Sequence, residues 1–97
     1  MEYKPEANMD VIERLPHSLL EVLEQAANRV HDMWAAGRIE EGWSWGEFLD
    51  EKKKTHPCLI PYEQLKEHDK DYDRRTAAIT IQCLLDRGII EADKKGK

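Results

Sequence analysis

All three tryptophans of this 97-residue chain lie in one stretch, VHDMWAAGRIEEGWSW at residues 30–45. Tryptophan combines the largest apolar surface with a polar N–H, so it favours places where a core meets a polar surface. Gly37 and Gly42 separate the indoles, which predicts a helix end that turns into a compact aromatic corner. For Trp43 and Trp45, two interpretations stay open: they pack into the core, or they wall a ligand pocket.

Two amphipathic helices account for most of the apolar residues. Between residues 17 and 36, apolar side chains recur at three- and four-residue steps, which is typical of one buried helix face. Gly37 follows where a left-handed residue can end a helix without steric cost. A second stripe predicts a helix over residues 72–87, with Gly88 as its stop.

The remaining segments are shorter and less regular. A short helix is predicted near 62–66, where Pro61 presets the backbone of its first turn. Short extended segments are predicted near 38–45, 58–61 and 89–91. The predicted fold class is therefore mainly α with minor β.

The chain is predicted to form a single domain. We expect an N-terminal extended arm over residues 1–15, one domain over 16–91 and a flexible tail over 92–97. Phe48 and Leu49 are expected to anchor an otherwise polar, lysine-rich loop to the core.

Charge and hydropathy narrow the choice of partner. The net charge of −5 divides into −7 over residues 1–50 and +2 over residues 51–97. Nucleic acid is an unlikely partner because phosphate binding needs a basic face. No apolar run approaches the length of a membrane span, and the start lacks the features of a signal peptide. We therefore expect no membrane association, a cytoplasmic location and reduced cysteines.

The residues that could carry chemistry form no recognised catalytic or metal motif. Phosphate loops, nucleophile elbows and HExxH motifs are absent from the sequence, so no catalytic residue, enzyme activity or cofactor is expected. Two histidines and two cysteines lack the spacing of a structural zinc site, so no metal is expected: His31, His56, Cys58 and Cys83. We expect His31 to contact a buried backbone carbonyl or the edge of the Trp34 ring.

A cation beside the clustered indoles makes a candidate ligand site. Arg38 follows Trp34 by one helical turn, and its planar guanidinium could grip a phosphate or carboxylate while an indole stacks on a planar ligand. The alternative for Arg38 is a surface salt bridge with a nearby acid. The predicted ligand-binding residues are Trp34, Arg38, Trp43, Tyr62 and Arg75.

Three segments together resemble a known family. They read HDMWAAGRIEEGWSWG, HPCLIPYEQL and DYDRRTAAITIQCLLDRGI, and they are similar in order and spacing to the ryanodine-receptor repeat (RyR) domain over about residues 16–91. Trp45 stands where the family usually has Tyr, and Ile60 where it usually has Val. The resemblance implies a small, mainly helical module, here as a single stand-alone copy of the kind found in bacteria and phages.

The resemblance also implies a regulatory role related to calcium-release channels. It implies a non-enzymatic module that senses a nucleotide-derived ligand, with an adenine-holding tryptophan that maps onto Trp34 alone. Such a clamp presumes a second repeat opposite, which a lone repeat would supply as a homodimer. The alternative is a protein-interaction module, a homodimer or scaffold, with no small-molecule ligand.

Overall fold

The computed structural model of the protein describes residues 2–91. Two long helices dominate it: α2 (Leu20–Glu40) and α3 (Glu67–Asp86). One helical turn, α1 (Val11–Arg14), precedes them, and two short strands, β1 (Ser44–Trp45) and β2 (Thr55–His56), lie between them. The predicted fold class, mainly α with minor β, is confirmed. The tail predicted for 92–97 lies outside the described residues.

The core lies where α2 and α3 face each other. Alanines on both helices are almost fully buried, at 0% exposure for Ala27 and Ala78, and their small side chains let the backbones approach closely. Ala78 belongs to one cluster of buried residues, together with Val11, Leu15, Leu23 and Ala77. Ala27 belongs to a second cluster, together with Tyr62 and Leu65. The helical turn of α1, within the segment predicted to be extended, therefore contributes to this core.

The first predicted helix has different ends. It opens with a 3-10 turn (His17–Leu19), runs through Gly37 and ends at Glu40. The prediction that Gly37 stops the helix is wrong. Gly42 takes the left-handed conformation instead, with φ of 97°. Residues 38–40, predicted to be extended, are the last turn of α2.

The other boundaries differ in detail. A 3-10 turn (Tyr62–Gln64) occupies the predicted short helix, and α3 begins at Glu67, five residues before the predicted start. Residues 58–61 and 89–91 form no strand. Gly88 does end α3, with φ of 72°, because the Ile89 N–H donates to the Leu84 carbonyl in a Schellman closure.

The two strands form a small parallel pair. Ser44 pairs with Thr55 and Trp45 with His56, while Asp50 and Thr55 form an isolated antiparallel bridge. The loop between them carries Phe48 and Leu49, which are 74% and 60% exposed. The prediction that these two side chains anchor the loop to the core is therefore wrong.

Candidate functional site

The end of α2 brings Arg38 and Trp43 together. The Trp43 N–H donates to the Arg38 carbonyl and the Gly42 N–H to the Ile39 carbonyl, both at 3.0 Å. These two bonds make a Schellman motif, which needs a left-handed residue at Gly42. The reversed chain places the Arg38 guanidinium carbon 5.2 Å from the centre of the Trp43 ring, a cation–π contact.

The parallel strand pair places His56 beside the same helix end. The Ser44 N–H donates to the Lys54 carbonyl at 2.9 Å, which holds β2 against β1. The His56 ring then meets Trp34 edge to face, with centroids 4.9 Å apart, and lies 6.4 Å from the Trp43 ring. We call the set formed by Trp34, Arg38, Trp43 and His56 the aromatic corner.

The tautomer of His56 follows from its hydrogen bond. The Cys58 backbone N–H donates to His56 Nδ1 at 3.0 Å, so Nδ1 acts as an acceptor and the neutral ring carries its hydrogen on Nε2. Burial, and then the nearby Arg38 charge, lower the pKa of His56 below its usual value of 6.5. His56 is therefore held as a neutral imidazole whose remaining N–H is on Nε2.

That Nε2 atom is accessible to solvent. It has no hydrogen-bond partner among the described residues, and none of their fully buried side-chain nitrogen or oxygen atoms lacks a partner. A partnerless nitrogen in this ring must therefore reach the surface. The corner thus presents one neutral donor, on His56, beside the Arg38 cation.

Arg38 keeps most of its donors unused. Its only ion pair within residues 2–91 is with Glu41 at 3.4 Å, and both side chains are largely exposed, at 41% and 65%. Such an exposed pair contributes little energy and releases its partner readily. The surface salt bridge predicted as the alternative for Arg38 is therefore present. Because water surrounds this pair, Glu41 does not prevent Arg38 from binding another anion.

His31 forms the buried base of the corner. Its ring is 3% exposed, and its Nε2 donates to the Ile60 carbonyl at 2.7 Å, so the prediction of a contact with a buried carbonyl is confirmed. The ring stacks against Trp34 with centroids 5.6 Å apart, while Nδ1 lies 3.6 Å from Asp73 Oδ2. Burial raises the pKa of Asp73. His31 therefore packs against Trp34 on the side of the core, and its burial keeps it from contacting a ligand.

The five predicted ligand-binding residues are not all at one place. Trp34, Arg38 and Trp43 meet at the aromatic corner. Tyr62 is 5% exposed and its hydroxyl donates to Glu24 at 2.8 Å, so it is part of the core. Arg75 lies over the Tyr72 ring and lines a different cavity, beside the N-terminal arm.

Trp45 stands apart from the other two indoles. It is 58% exposed, while Trp43 is half-buried and in contact with Arg38. The two indoles therefore differ in exposure, and only Trp43 takes part in the aromatic corner.

A second polar cluster, which we call the Arg74 network, joins α2 to α3. The Arg74 guanidinium donates to both carboxylate oxygens of Glu24 at 2.9 Å, to Glu67 at 2.8 Å and to Asp71 at 3.0 Å. These bonds hold the pKa of Glu24 below 4.5, and burial raises the pKa of Tyr62, whose hydroxyl donates to Glu24.

Arg74 was not singled out from the sequence. A usable signal existed, since Arg74 precedes Ala77 and Ala78 by three and four residues and so shares the buried face of α3.

Side chains that could bind a metal ion are not assembled in the described part of the chain. No three His, Cys, Asp or Glu side chains within residues 2–91 converge on a point that could hold a metal ion. Burial, with Asp69 nearby, raises the pKa of the Cys58 thiol, which opposes thiolate formation. Within the same range, no helix combines the length and apolar content that crossing a bilayer requires.

Comparison with known protein families agrees with this architecture. The family model of the RyR domain matches residues 3–90, which include the two long helices, the strand pair and α1. The match extends over nearly the whole chain, and it includes the segment before residue 16 that the sequence resemblance left out. The chain therefore belongs to the RyR domain family.

Proposed function

We propose that this RyR domain is a non-enzymatic binding module whose aromatic corner receives a small, planar, anionic ligand of nucleotide type. The observation that carries the proposal is the pairing of Arg38 with Trp43 at 5.2 Å, beside His56 and Trp34. An indole offers a stacking surface, the guanidinium a bidentate grip on phosphate, and His56 Nε2 a neutral donor.

The electrostatics of the corner favour an anion. Arg38 has one exposed ion pair at 3.4 Å, and a phosphate or carboxylate could replace Glu41 with little loss. The residues that line the corner, Trp34, Trp43 and His56, bring no negative charge of their own. Arg75 and Tyr62 are left out of this proposed site because neither contacts it.

Titration of intrinsic tryptophan fluorescence with adenine nucleotides and cyclic dinucleotides tests the proposal. We expect quenching by at least one of them, and we expect Arg38→Gln to weaken binding about tenfold because a charge-assisted bond is lost. Arg29→Gln, an exposed arginine on the same helix, is the matched control and should bind like the parent. A flat response to every nucleotide would refute the proposal.

Trp43→Leu separates stacking from charge. It keeps an apolar side chain at the helix end but removes the aromatic surface, so binding should weaken by about 1–3 kcal/mol if a base stacks there. Unchanged affinity in Trp43→Leu together with weaker binding in Arg38→Gln would mean that the corner binds a simple anion and not a nucleotide.

A specific observation favours a second candidate, a protein-interaction module such as a homodimer. Trp45, Phe48 and Leu49 are 58%, 74% and 60% exposed and lie close together in sequence, and exposed apolar side chains of this size favour an interface. Light scattering over a range of concentrations tests it, with Phe48→Ser as the variant. Concentration-dependent association that the variant abolishes would favour this candidate, and a strict monomer would exclude the homodimer.

A further inference from the structure

A cavity of about 660 Å³ lies between the N-terminal arm and α3, apart from the aromatic corner. This volume falls within the range of small-molecule sites. Its walls come from both segments, and they are Glu6, Ala7, Asn8, Met9, Val11, Tyr72, Arg75, Thr76 and Ile79. We propose that this cavity binds a small organic monoanion, a carboxylate carried on an apolar body, with Arg75 as its anchoring residue.

The guanidinium of Arg75 is available to a ligand. It forms no ion pair or side-chain hydrogen bond with any residue in the range 2–91, whereas its neighbour Arg74 bonds to three acids. The Arg75 guanidinium carbon lies 5.1 Å from the centre of the Tyr72 ring. A cation–π contact of this kind uses none of the hydrogen-bond acceptors of the chain, so the N–H donors of Arg75 remain available for a bidentate carboxylate.

The rest of the cavity fits an apolar body. Met9, Tyr72 and Ile79 are 66%, 60% and 46% exposed, although each is a large apolar side chain. Together they leave apolar surface in water in the cavity that Arg75 lines. A ligand with an apolar ring or chain would remove this surface from water while its carboxylate meets Arg75.

The polar lining explains why one negative charge fits and two do not. Arg75 is the only cation among the described residues that line the cavity, and Glu6 adds a carboxylate to the same wall. The Thr76 hydroxyl donates to the Tyr72 carbonyl at 3.0 Å, so it has no hydrogen to offer an anion. A second negative charge on the ligand would find no second cation among these residues and would be repelled by Glu6.

Amide chemical shifts from NMR test the proposal, with phenylacetate as the probe and two analogues of altered charge. We expect phenylacetate to shift the amides of residues 6–11 and 72–79 and to leave those of 34–43 and 55–58 in place. Neutral phenylacetamide and dianionic phenylsuccinate should each bind about tenfold more weakly, because one lacks the charge-assisted bond and the other has an unpaired charge.

Three variants show whether Arg75 is the anchor. Arg75→Gln should weaken phenylacetate binding about tenfold, and Arg75→Lys should weaken it less because the charge remains. Arg38→Gln should have no effect, which separates this site from the one proposed at the aromatic corner. The proposal is overturned if phenylacetate shifts no amide near its solubility limit, if phenylacetamide binds equally well, or if Arg75→Gln binds like the parent.

Discussion

The Arg74 network and the aromatic corner each contain an arginine at the edge of the core, yet the two are built differently. Arg74 is 19% exposed and donates to Glu24, Glu67 and Asp71 at 2.8 to 3.0 Å. Arg38 is 41% exposed and has one carboxylate at 3.4 Å and one indole face. An arginine whose three nitrogens all donate to acids of the same chain stabilises the fold, whereas one held by an aromatic face stays able to bind a ligand.

The largest expected effect is the difference in the free energy of unfolding between a variant without the Arg74 guanidinium and one without the Arg38 guanidinium. Arg74→Met should lower the free energy of unfolding by about 2–3 kcal/mol, because several charge-assisted bonds disappear and Glu24 loses its partner. Arg38→Met should lower it by less than about 1 kcal/mol. Urea denaturation measures both, and equal losses would end the distinction between the two regions.

The turn at Gly42 can be destabilised by a substitution that leaves the side chains of the aromatic corner unchanged. Gly42→Ala forces a Cβ into a conformation with φ of 97° and should destabilise the protein by about 1–2 kcal/mol. Gly37→Ala is the matched control, since a Cβ at Gly37 meets nothing within 4 Å and a helical alanine should add up to about 1 kcal/mol of stability. Thermal unfolding should move in opposite directions for the two variants, and a shift of the same sign would contradict the assigned helix end.

Acid should weaken the Arg74 network. The folded-state pKa of Glu24 is depressed below 4.5, so its contribution is present above pH 4.5 and is lost as pH falls through the depressed value. Asp73 acts in the opposite sense, because its raised pKa favours the protonated folded state at low pH.

The effect of Asp73 on the pH dependence of stability is the same in the parent and in Arg74→Met, so comparing the two proteins removes it. The loss of stability between pH 7 and pH 3.5 should be larger in the parent, by roughly 1 kcal/mol or less, since Glu24 is half exposed and its interactions are screened. Parallel pH profiles for the two proteins would show that Glu24 is not held ionised by Arg74.

The smallest effect is expected at His56. Its pKa should lie below 6.5, and Arg38→Gln should raise it by a fraction of a pH unit, because one of its two depressing influences is removed. The titration of the ring protons in NMR measures this shift, and the three other histidines serve as internal references. An unchanged His56 pKa in Arg38→Gln would mean that the two side chains do not interact within the corner.

The helical fold could be predicted because its signals are local. The apolar stripes of α2 and α3 and the stop at Gly88 can be seen in short windows of sequence. The choice between Gly37 and Gly42 as the end of α2 could not be made locally. Both positions suit a helix stop, and the outcome depends on β2 pairing with the chain just after Gly42.

The candidate site was predictable only in part. Arg38 and Trp43 are close in sequence, so their meeting could be anticipated. Tyr62 and Arg75 lie outside the aromatic corner because of the way α3 packs, and no local sequence pattern predicts that packing. The place of His56 in the site was not predicted, because its contacts with Trp34 and Trp43 arise from strand pairing across the lysine-rich loop.

The bond between Arg74 and Glu24 spans 50 residues of chain, and it has a consequence for how the molecule opens. Amide hydrogens on the facing turns of the two long helices should exchange with solvent only when the whole domain unfolds, because neither helix can leave alone without breaking that bond. The segment from Gly46 to Lys54, held by two short strands and a few backbone bonds, should open by itself and exchange much faster. Local unfolding would then occur at one end of the molecule, next to Trp43 and His56, while the other end stays folded.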